Sequence, residues 1–240
     1  MHKAAYEAAG LKYRYVALRV EPDDFEEAID KLIHLGYRGV NLTQPLKELG
    51  AKWARHPDLF VSRVGSANTL NLMEGSAANT DAPGFVDTLP ALGIWAPAPI
   101  LILGAGGAAR AIASVLHEAG HRLRIYNRTP ERAKKLVDET GIKAEILKEP
   151  NPEGVAMVVN TTSAALEGDA IPVQWSRADK RTIAYDISYG EELSPFLLQS
   201  GLAGLKVCDG LEMLVAQGAR SFEWWLGIVA PLDAMRKAVG

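Results

Sequence analysis

Along the first eighty or so residues, apolar positions switch between a helical spacing and short β-like runs. His2–Ala9 reads as a short helix stopped by Gly10, and Tyr13–Val20 as a strand. Asp23–Leu35 carries Phe25, Ala28, Ile29, Leu32 and Ile33 on one helical face, with Gly36 as its stop. Tyr37–Thr43 predicts a short strand leading through Gln44-Pro45 into a helix. Asn68–Met73 predicts another strand, turning at Glu74-Gly75-Ser76. From Pro83 the rhythm changes. Phe85–Leu92 predicts a helix, Ala96–Pro99 a turn-rich break, and Ile100–Leu103 a continuously apolar strand of the kind buried on both faces. A helix to Ala119, a strand Arg122–Tyr126, a helix Pro130–Thr140 and buried strands at Val155–Val159 and Thr182–Ile187 follow. From Leu211 onward the pattern is helical, with Leu214, Val215, Phe222, Trp225 and Leu226 on the apolar side.

Regular alternation of strand and helix points to the α/β class, and the second part to a doubly wound, Rossmann-type sheet. The expected division is a first α/β lobe over 1–82, completed by the terminal helices 211–240, and a second lobe over 83–210. The two would flank a cleft.

Composition narrows the function classes. With 26 Lys+Arg against 29 Asp+Glu, the formal charge of −3 speaks against a nucleic-acid binder working through a broad basic face. The hydrophobic share of 48% and charged share of 23% are ordinary for a soluble globular chain. One cysteine, Cys208, leaves no internal disulfide and no Cys-based zinc cage, and the histidines show no ligand spacing, so no metal is expected. The opening residues are too polar for a signal peptide, and the apolar stretch Ile100–Leu116 is cut by glycines and Arg110, so no membrane span is expected. The expected location is the cytoplasm.

The sharpest motif is Gly104-Ala105-Gly106-Gly107-Ala108-Ala109, which fits G-x-G-x-x-A directly after a strand and at the start of a helix. Gly104 makes the tight turn, Gly106 lets the backbone approach a pyrophosphate, and Ala109 keeps helix and sheet close. The helix N-terminus then offers free N–H groups and positive partial charge to the phosphates. At the end of the next strand stand Asn127, Arg128 and Thr129, with Arg132 one turn on. A site for NAD usually places a carboxylate there for the ribose 2′-hydroxyl. Two guanidinium groups and a hydroxyl suit a 2′-phosphate instead, so NADP is the expected cofactor. The other reading of Arg128 and Arg132 is a solvated helix face.

In the first lobe, polar residues interrupt the apolar strands. Asn41-Leu-Thr43-Gln-Pro-Leu-Lys47 sets a hydroxyl and an ammonium four residues apart at a strand end. Ser66-Ala-Asn68-Thr69 and Asn79-Thr80-Asp81 bracket the hairpin and direct an amide and a carboxylate towards one point. Lys47 and Asp81 together form a workable proton-transfer pair, the carboxylate orienting the ammonium and desolvation drawing its pKa towards operating pH. By spacing alone the plainer reading, a surface lysine and a helix-capping aspartate, is the stronger one.

Six blocks, in order and over almost the whole chain, are similar to the shikimate dehydrogenase family. They are Gly39–Lys47 (GVNLTQPLK), Gly65–Thr69 (GSANT), Asn79–Phe85 (NTDAPGF), Leu103–Arg110 (LGAGGAAR), Asn127–Arg132 (NRTPER) and Asp209–Ala219 (DGLEMLVAQGA). The first and third are specific to that family and its quinate-oxidising relatives. The resemblance implies NADP-linked, reversible oxidation of shikimate to 3-dehydroshikimate, with quinate or another polyol as the alternative substrate. It implies that Lys47 shuttles the proton of the reacting hydroxyl with Asp81 as partner, and that Thr43, Asn68, Tyr189 and Gln217 hold the substrate. It further implies that Asn127, Arg128, Thr129 and Arg132 clamp the adenosine phosphate, and that Thr161, Ser163, Ile187 and Gly210 line the nicotinamide side. For Gln217 a polar residue packed in a helix, and for Tyr189 a solvated loop aromatic, are the plainer readings.

In the family, a strand and a Ser-x-Ser-Pro loop that holds the substrate carboxylate precede the helix that Met1–Tyr6 resembles. The sequence starts at that helix. The reading is therefore of a first lobe with an exposed sheet edge, whether the start lies upstream or the element has been lost. A cofactor-binding relative with little or no dehydrogenase activity is the corresponding alternative.

Overall fold

The most apolar run of the chain becomes the centre of its larger sheet. In the computed structural model, which describes residues 1–162 and 171–240, the chain divides into two units. One comprises Met1–Gly84 with Leu214–Gly240, and the other Phe85–Met213.

In the second unit, β5 (Pro99–Leu103) leads into α6 (Gly107–Glu118), β6 (Arg122–Tyr126), α7 (Pro130–Thr140) and β7 (Ala144–Leu147). β8 (Met157–Asn160), β9 (Ile183–Asp186), α8 (Pro195–Leu202) and β10 (Lys206–Cys208) follow. The six strands are all parallel, in the order β10-β9-β8-β5-β6-β7. Strand order reverses at β5, which pairs with β6 on one side and β8 on the other. This is the doubly wound arrangement, whose ligand sites lie beyond the carboxyl ends of the strands at that reversal. Ile100, Leu101, Ile102 and Leu103 are fully buried, Ile100 and Ile102 in one core layer with Ile112 and Leu116, Leu101 and Leu103 in the other with Val158 and Phe196. A strand covered by helices on both faces has no polar side, and hence its unbroken apolar sequence.

The first unit contains α1 (His2–Ala8), α2 (Phe25–His34), β1 (Gly39–Asn41), α3 (Lys47–Trp53), β2 (His56–Pro57) and α4 (Leu59–Val64). It continues with β3 (Thr69–Asn71), β4 (Ser76–Ala78) and α5 (Asp81–Thr88), the last passing into the other unit, and closes with α9 (Leu211–Leu226) and α10 (Leu232–Lys237). Its sheet runs β1-β3-β4-β2, with β1–β3–β4 antiparallel. Phe25, Ile29 and Leu32 of α2 pack with Leu42, Val61, Leu70 and Leu72. A second cluster joins Ala5 and Tyr6 of α1 to Val215, Ala219 and Phe222 of α9 and Met235 of α10. Gly84 lets α5 lie against α9, since a Cβ there would stand 2.7 Å from the Gln217 backbone nitrogen.

One expected strand is not one. Tyr13–Val20 forms no ladder, and Tyr13, Tyr15, Val16 and Leu18 are exposed. A cavity of about 720 Å³ is lined by this segment together with Ile29, Leu32 and Val40. A side-chain bond ties it to the sheet, the Tyr15 hydroxyl donating to Asn41 Oδ1 at 2.9 Å. Alternating, β-branched sequence makes a strand only where a neighbouring edge takes up its backbone groups. β1, paired with β3 alone, is the edge of the sheet. Two smaller differences follow the same logic. Tyr37–Thr43 shortens to Gly39–Asn41, and Asn68–Met73 to Thr69–Asn71, where cross-strand partners end. The helix expected after Gln44-Pro45 is α3, whereas β7, α4 and α8 carry too few periodic apolar positions to stand out in the sequence. Among the described residues no helix is long and apolar enough to cross a membrane.

His2 supplies a test of the packing around α1. Its ring is buried and stacks on Tyr15 at 4.3 Å. Burial, with the N-terminal ammonium in second place, lowers its pKa from 6.5 to about 4. The fold therefore favours the neutral ring, a contribution complete above pH 6.5 and lost as pH falls towards 4. Urea titrations should show His2→Phe losing about 2–3 kcal/mol less stability than the unchanged protein over that interval. Parallel losses would mean that the ring is not held neutral.

Candidate functional site

In the first unit the ends of β1, β3 and β4 and the starts of α3 and α5 bring the polar residues into one cluster. Lys47 opens α3 and Asp81 opens α5. Lys47 Nζ donates to Asp81 Oδ2 at 2.8 Å, with the two side chains only 17% and 16% exposed. The capping reading of Asp81 falls away because Asn79 takes that task, its Oδ1 accepting from the Ala82 amide at 3.2 Å. The carboxylate is thus free to face the ammonium. A pair this far out of water is costly unless its remaining valences are met, and Asn68 meets one of them.

Asn68 is 2% exposed. Its Oδ1 accepts from the Thr80 amide at 2.7 Å. That bond sets the orientation of the carboxamide and leaves Nδ2 to face Asp81 Oδ1 at 3.1 Å, Gln217 Oε1 at 3.1 Å and Thr80 Oγ1 at 2.9 Å. Gln217 sits on α9, its Nε2 donating to the Leu214 carbonyl at 2.9 Å. Lys47, Asp81, Asn68 and Gln217 therefore form one hydrogen-bonded chain. Thr43 lies just past the end of β1 and is exposed. Such a cluster offers a charged proton donor with two further N–H bonds available and several fixed hydrogen-bonding groups, the equipment for handling a hydroxylated substrate.

In the second unit the glycine-rich turn lies beyond β5. Gly104 has φ +111°, and its amide donates to the Tyr126 carbonyl at 2.8 Å. A Cβ there would stand 2.6 Å from Thr161 Oγ1. Gly106 precedes α6 with no side-chain cap, and a Cβ on it would meet nothing within 4 Å. The space over Gly106 opens beside the uncapped amides of Gly107 and Ala108, an arrangement of the kind that suits an anion. Ala105 is partly buried between the two glycines. Beyond β6, Asn127 Nδ2 donates to the Thr129 carbonyl at 2.8 Å, and Arg128, Thr129 and Arg132 are exposed around the start of α7. Thr161 is locked to the end of β5, its hydroxyl donating to the Leu103 carbonyl at 2.7 Å. Ile187 and Gly210 follow β9 and β10, the Ile187 amide bonded to the Asn160 carbonyl and the Gly210 amide to that of Ser188. Tyr189 is 53% exposed. Ser163 lies outside the described residues. Among the described residues no group of three His, Cys, Asp or Glu side chains is placed to hold a metal ion.

Sequence models of three parts of one enzyme match the chain. The shikimate dehydrogenase substrate binding domain matches residues 1–70, shikimate / quinate 5-dehydrogenase residues 91–161, and the shikimate 5′-dehydrogenase C-terminal domain residues 210–239. A protein of Methanococcoides burtonii named shikimate dehydrogenase (NADP(+)) is 36% identical over 100% of this chain and 91% of its own length. The chain belongs to the shikimate dehydrogenase family. A Thermus thermophilus member with the same name is 38% identical over 99% of this chain and 90% of its own. A crystal structure of shikimate 5-dehydrogenase from Thermus thermophilus, in complex with NADP(H) and shikimate, superposes with a TM-score of 0.89 at 35% identity, covering 99% of this chain and 91% of that one.

Two buried polar residues beside these clusters escaped the sequence reading. Asp186 is fully buried, accepting from Asn160 Nδ2, the Ser188 amide and hydroxyl, and the Ser194 hydroxyl. It joins the ends of β8 and β9 to the segment carrying Ile187 and Tyr189. Its signal was a lone acid ending an apolar strand. Ser221 is the other; it stands one helical turn after Gln217, on the same face of α9.

The two glycines of the turn should separate in stability measurements. Gly104→Ala is expected to cost about 1–3 kcal/mol in denaturant unfolding, through its left-handed backbone and the crowding by Thr161. Gly106→Ala should change stability by less than about 1 kcal/mol. Equal losses would contradict the geometry of the turn.

Proposed function

We propose that this chain catalyses the reversible, NADP-linked oxidation of shikimate to 3-dehydroshikimate. The observation that carries the reading is the partly buried Lys47–Asp81 pair, hydrogen-bonded through Asn68 to Gln217. Oxidising a secondary alcohol removes a hydride from carbon and a proton from oxygen. NADP, when bound, supplies the hydride acceptor. The chain supplies the proton path. In the reducing direction the Lys47 ammonium gives a proton to the carbonyl oxygen as alkoxide character develops, and in the oxidising direction the neutral amine takes it back. Asp81 holds Nζ in place and stabilises its charged form. Thr43, Asn68, Gln217 and Tyr189 orient the ring hydroxyls, since a polyol needs several fixed bonds to present one carbon to the reaction.

The reading gives the substrate to residues 1–82 with 211–240 and NADP to residues 83–210. The open space over Gly106 and the uncapped start of α6 suit the diphosphate, and Asn127, Arg128, Thr129 and Arg132 suit the 2′-phosphate. Thr161, Ser163, Ile187 and Gly210 are assigned to the nicotinamide side. The names of the Methanococcoides and Thermus relatives, and the ligands in the Thermus structure, support this choice of substrate and cofactor. A cytoplasmic location completes the reading.

Formation of NADPH at 340 nm on adding shikimate and NADP is the direct test; turnover with quinate and not shikimate would move the assignment to quinate, and no turnover with either would overturn it. Lys47→Ala should lower kcat by about 10²–10⁴-fold while leaving thermal unfolding cooperative. Arg128→Ala should raise the KM for NADP by about tenfold or more, through loss of a charge-assisted phosphate contact, and leave that for NAD unchanged. No change in either KM would place Arg128 on a solvated face, and an equal rise in both would show that it does not single out the 2′-phosphate.

A further inference from the structure

Ser221 is fully buried on α9, on a helix whose neighbouring inward positions, Val215, Ala219 and Phe222, are apolar. Alanine would fill that place without a polar atom to desolvate. The hydroxyl instead meets four groups. Asn41 Nδ2 donates to it at 2.9 Å, the Thr69 and Thr80 hydroxyls stand at 2.8 and 3.0 Å, and the Gln217 carbonyl lies at 3.0 Å. A hydroxyl has one donor and two acceptor sites, so its whole capacity is spent inside this network. The two threonines face Asn68 in turn. Thr80 Oγ1 lies 2.9 Å from Asn68 Nδ2, and the Thr69 and Thr80 hydroxyls stand 3.4 and 3.3 Å from Asn68 Oδ1.

We propose that Ser221 is a positioning residue for the shikimate site: through Thr69 and Thr80 it fixes the Asn68 carboxamide towards Asp81 and Gln217. The inference rests on the shikimate reading for its kinetic consequence alone. Ser221 does not contact Lys47 or Asp81. It acts at two removes, by backing the hydroxyls against which Asn68 is set, and by tying α9 to β3 and to the start of α5 at the level of Gln217. Removing the hydroxyl leaves Asn41 Nδ2, Thr69 and Thr80 to re-pair in a space closed to water. Thr80 Oγ1 then competes for Asn68 Oδ1, and the amide loses its single orientation.

Steady-state kinetics on Ser221→Ala should show the KM for shikimate raised by about 5- to 20-fold and the KM for NADP within twofold of normal. In an Asn68→Ala background the same substitution should add less than twofold, because the residue through which it acts is gone. An unchanged shikimate KM, or an equal rise in both backgrounds, overturns the proposal. Ser221→Cys, which keeps the volume with a weaker donor, should fall between serine and alanine. A second readout needs no turnover. In ¹H–¹⁵N spectra, with the Asn68 side-chain amide assigned by its loss in Asn68→Ala, that amide should exchange with solvent at least tenfold faster in Ser221→Ala. Identical exchange overturns the proposal even in protein that oxidises no shikimate. Faster exchange without shikimate oxidation would uphold the positioning role and sink the substrate reading alone.

Discussion

An ammonium and a carboxylate held 2.8 Å apart and mostly out of water are expensive to keep, and the first unit is organised around meeting that expense. Removing one member of such a pair costs about 3–5 kcal/mol because the other charge is left uncompensated. The chain places each charge at the first residue of a helix, where the backbone turns out of a strand and the side chain can be aimed. Helix α5 is capped by Asn79 and so makes no claim on Asp81. The second carboxylate oxygen is met by Asn68, and Asn68 is met on both ends by Thr80. The result is a charged group held in place by a continuous set of hydrogen bonds, as the proposed proton transfer requires.

The second unit solves a different problem with different means. It presents backbone rather than side chains. Its buried strands end together, so that the turn after β5 and the residue after β8 are neighbours, and the Thr161 hydroxyl closes onto the last carbonyl of β5. Gly104 is required by the protein itself, through its positive φ and the nearby threonine. Gly106 is not, and the space above it is available to a ligand. The same turn therefore contains one glycine that folding requires and one that, in the proposed reading, serves binding.

Much of this was legible in the sequence, and for physical reasons. A strand buried on both faces has to be apolar throughout, which marked β5. A phosphate-binding turn has to be glycine-rich directly after it, which marked Gly104 and Gly106. Lys47, Asp81 and Asn68 stood out as polar residues interrupting apolar strands and Gln217 through the family resemblance, and the fold joins all four. The misses have a common cause: they depend on partners distant in sequence. Tyr13–Val20 has the composition of a strand, but its backbone is not paired to the β1 edge beside it. Ser221 is one small residue on a helix, and only its meeting with Asn41, Thr69 and Thr80 gives it a role. Asp186 matters because three other segments donate to it.

The central claim is that Lys47 and Asp81 work as one unit in moving a proton. The most direct test is a double-mutant cycle on kcat for shikimate oxidation with Lys47→Met, Asp81→Asn and the pair. If the two act as one, the double variant is no slower than the slower single one, as for other catalytic groups that act together. If the losses multiply, each residue contributes independently and the account of the pair is wrong.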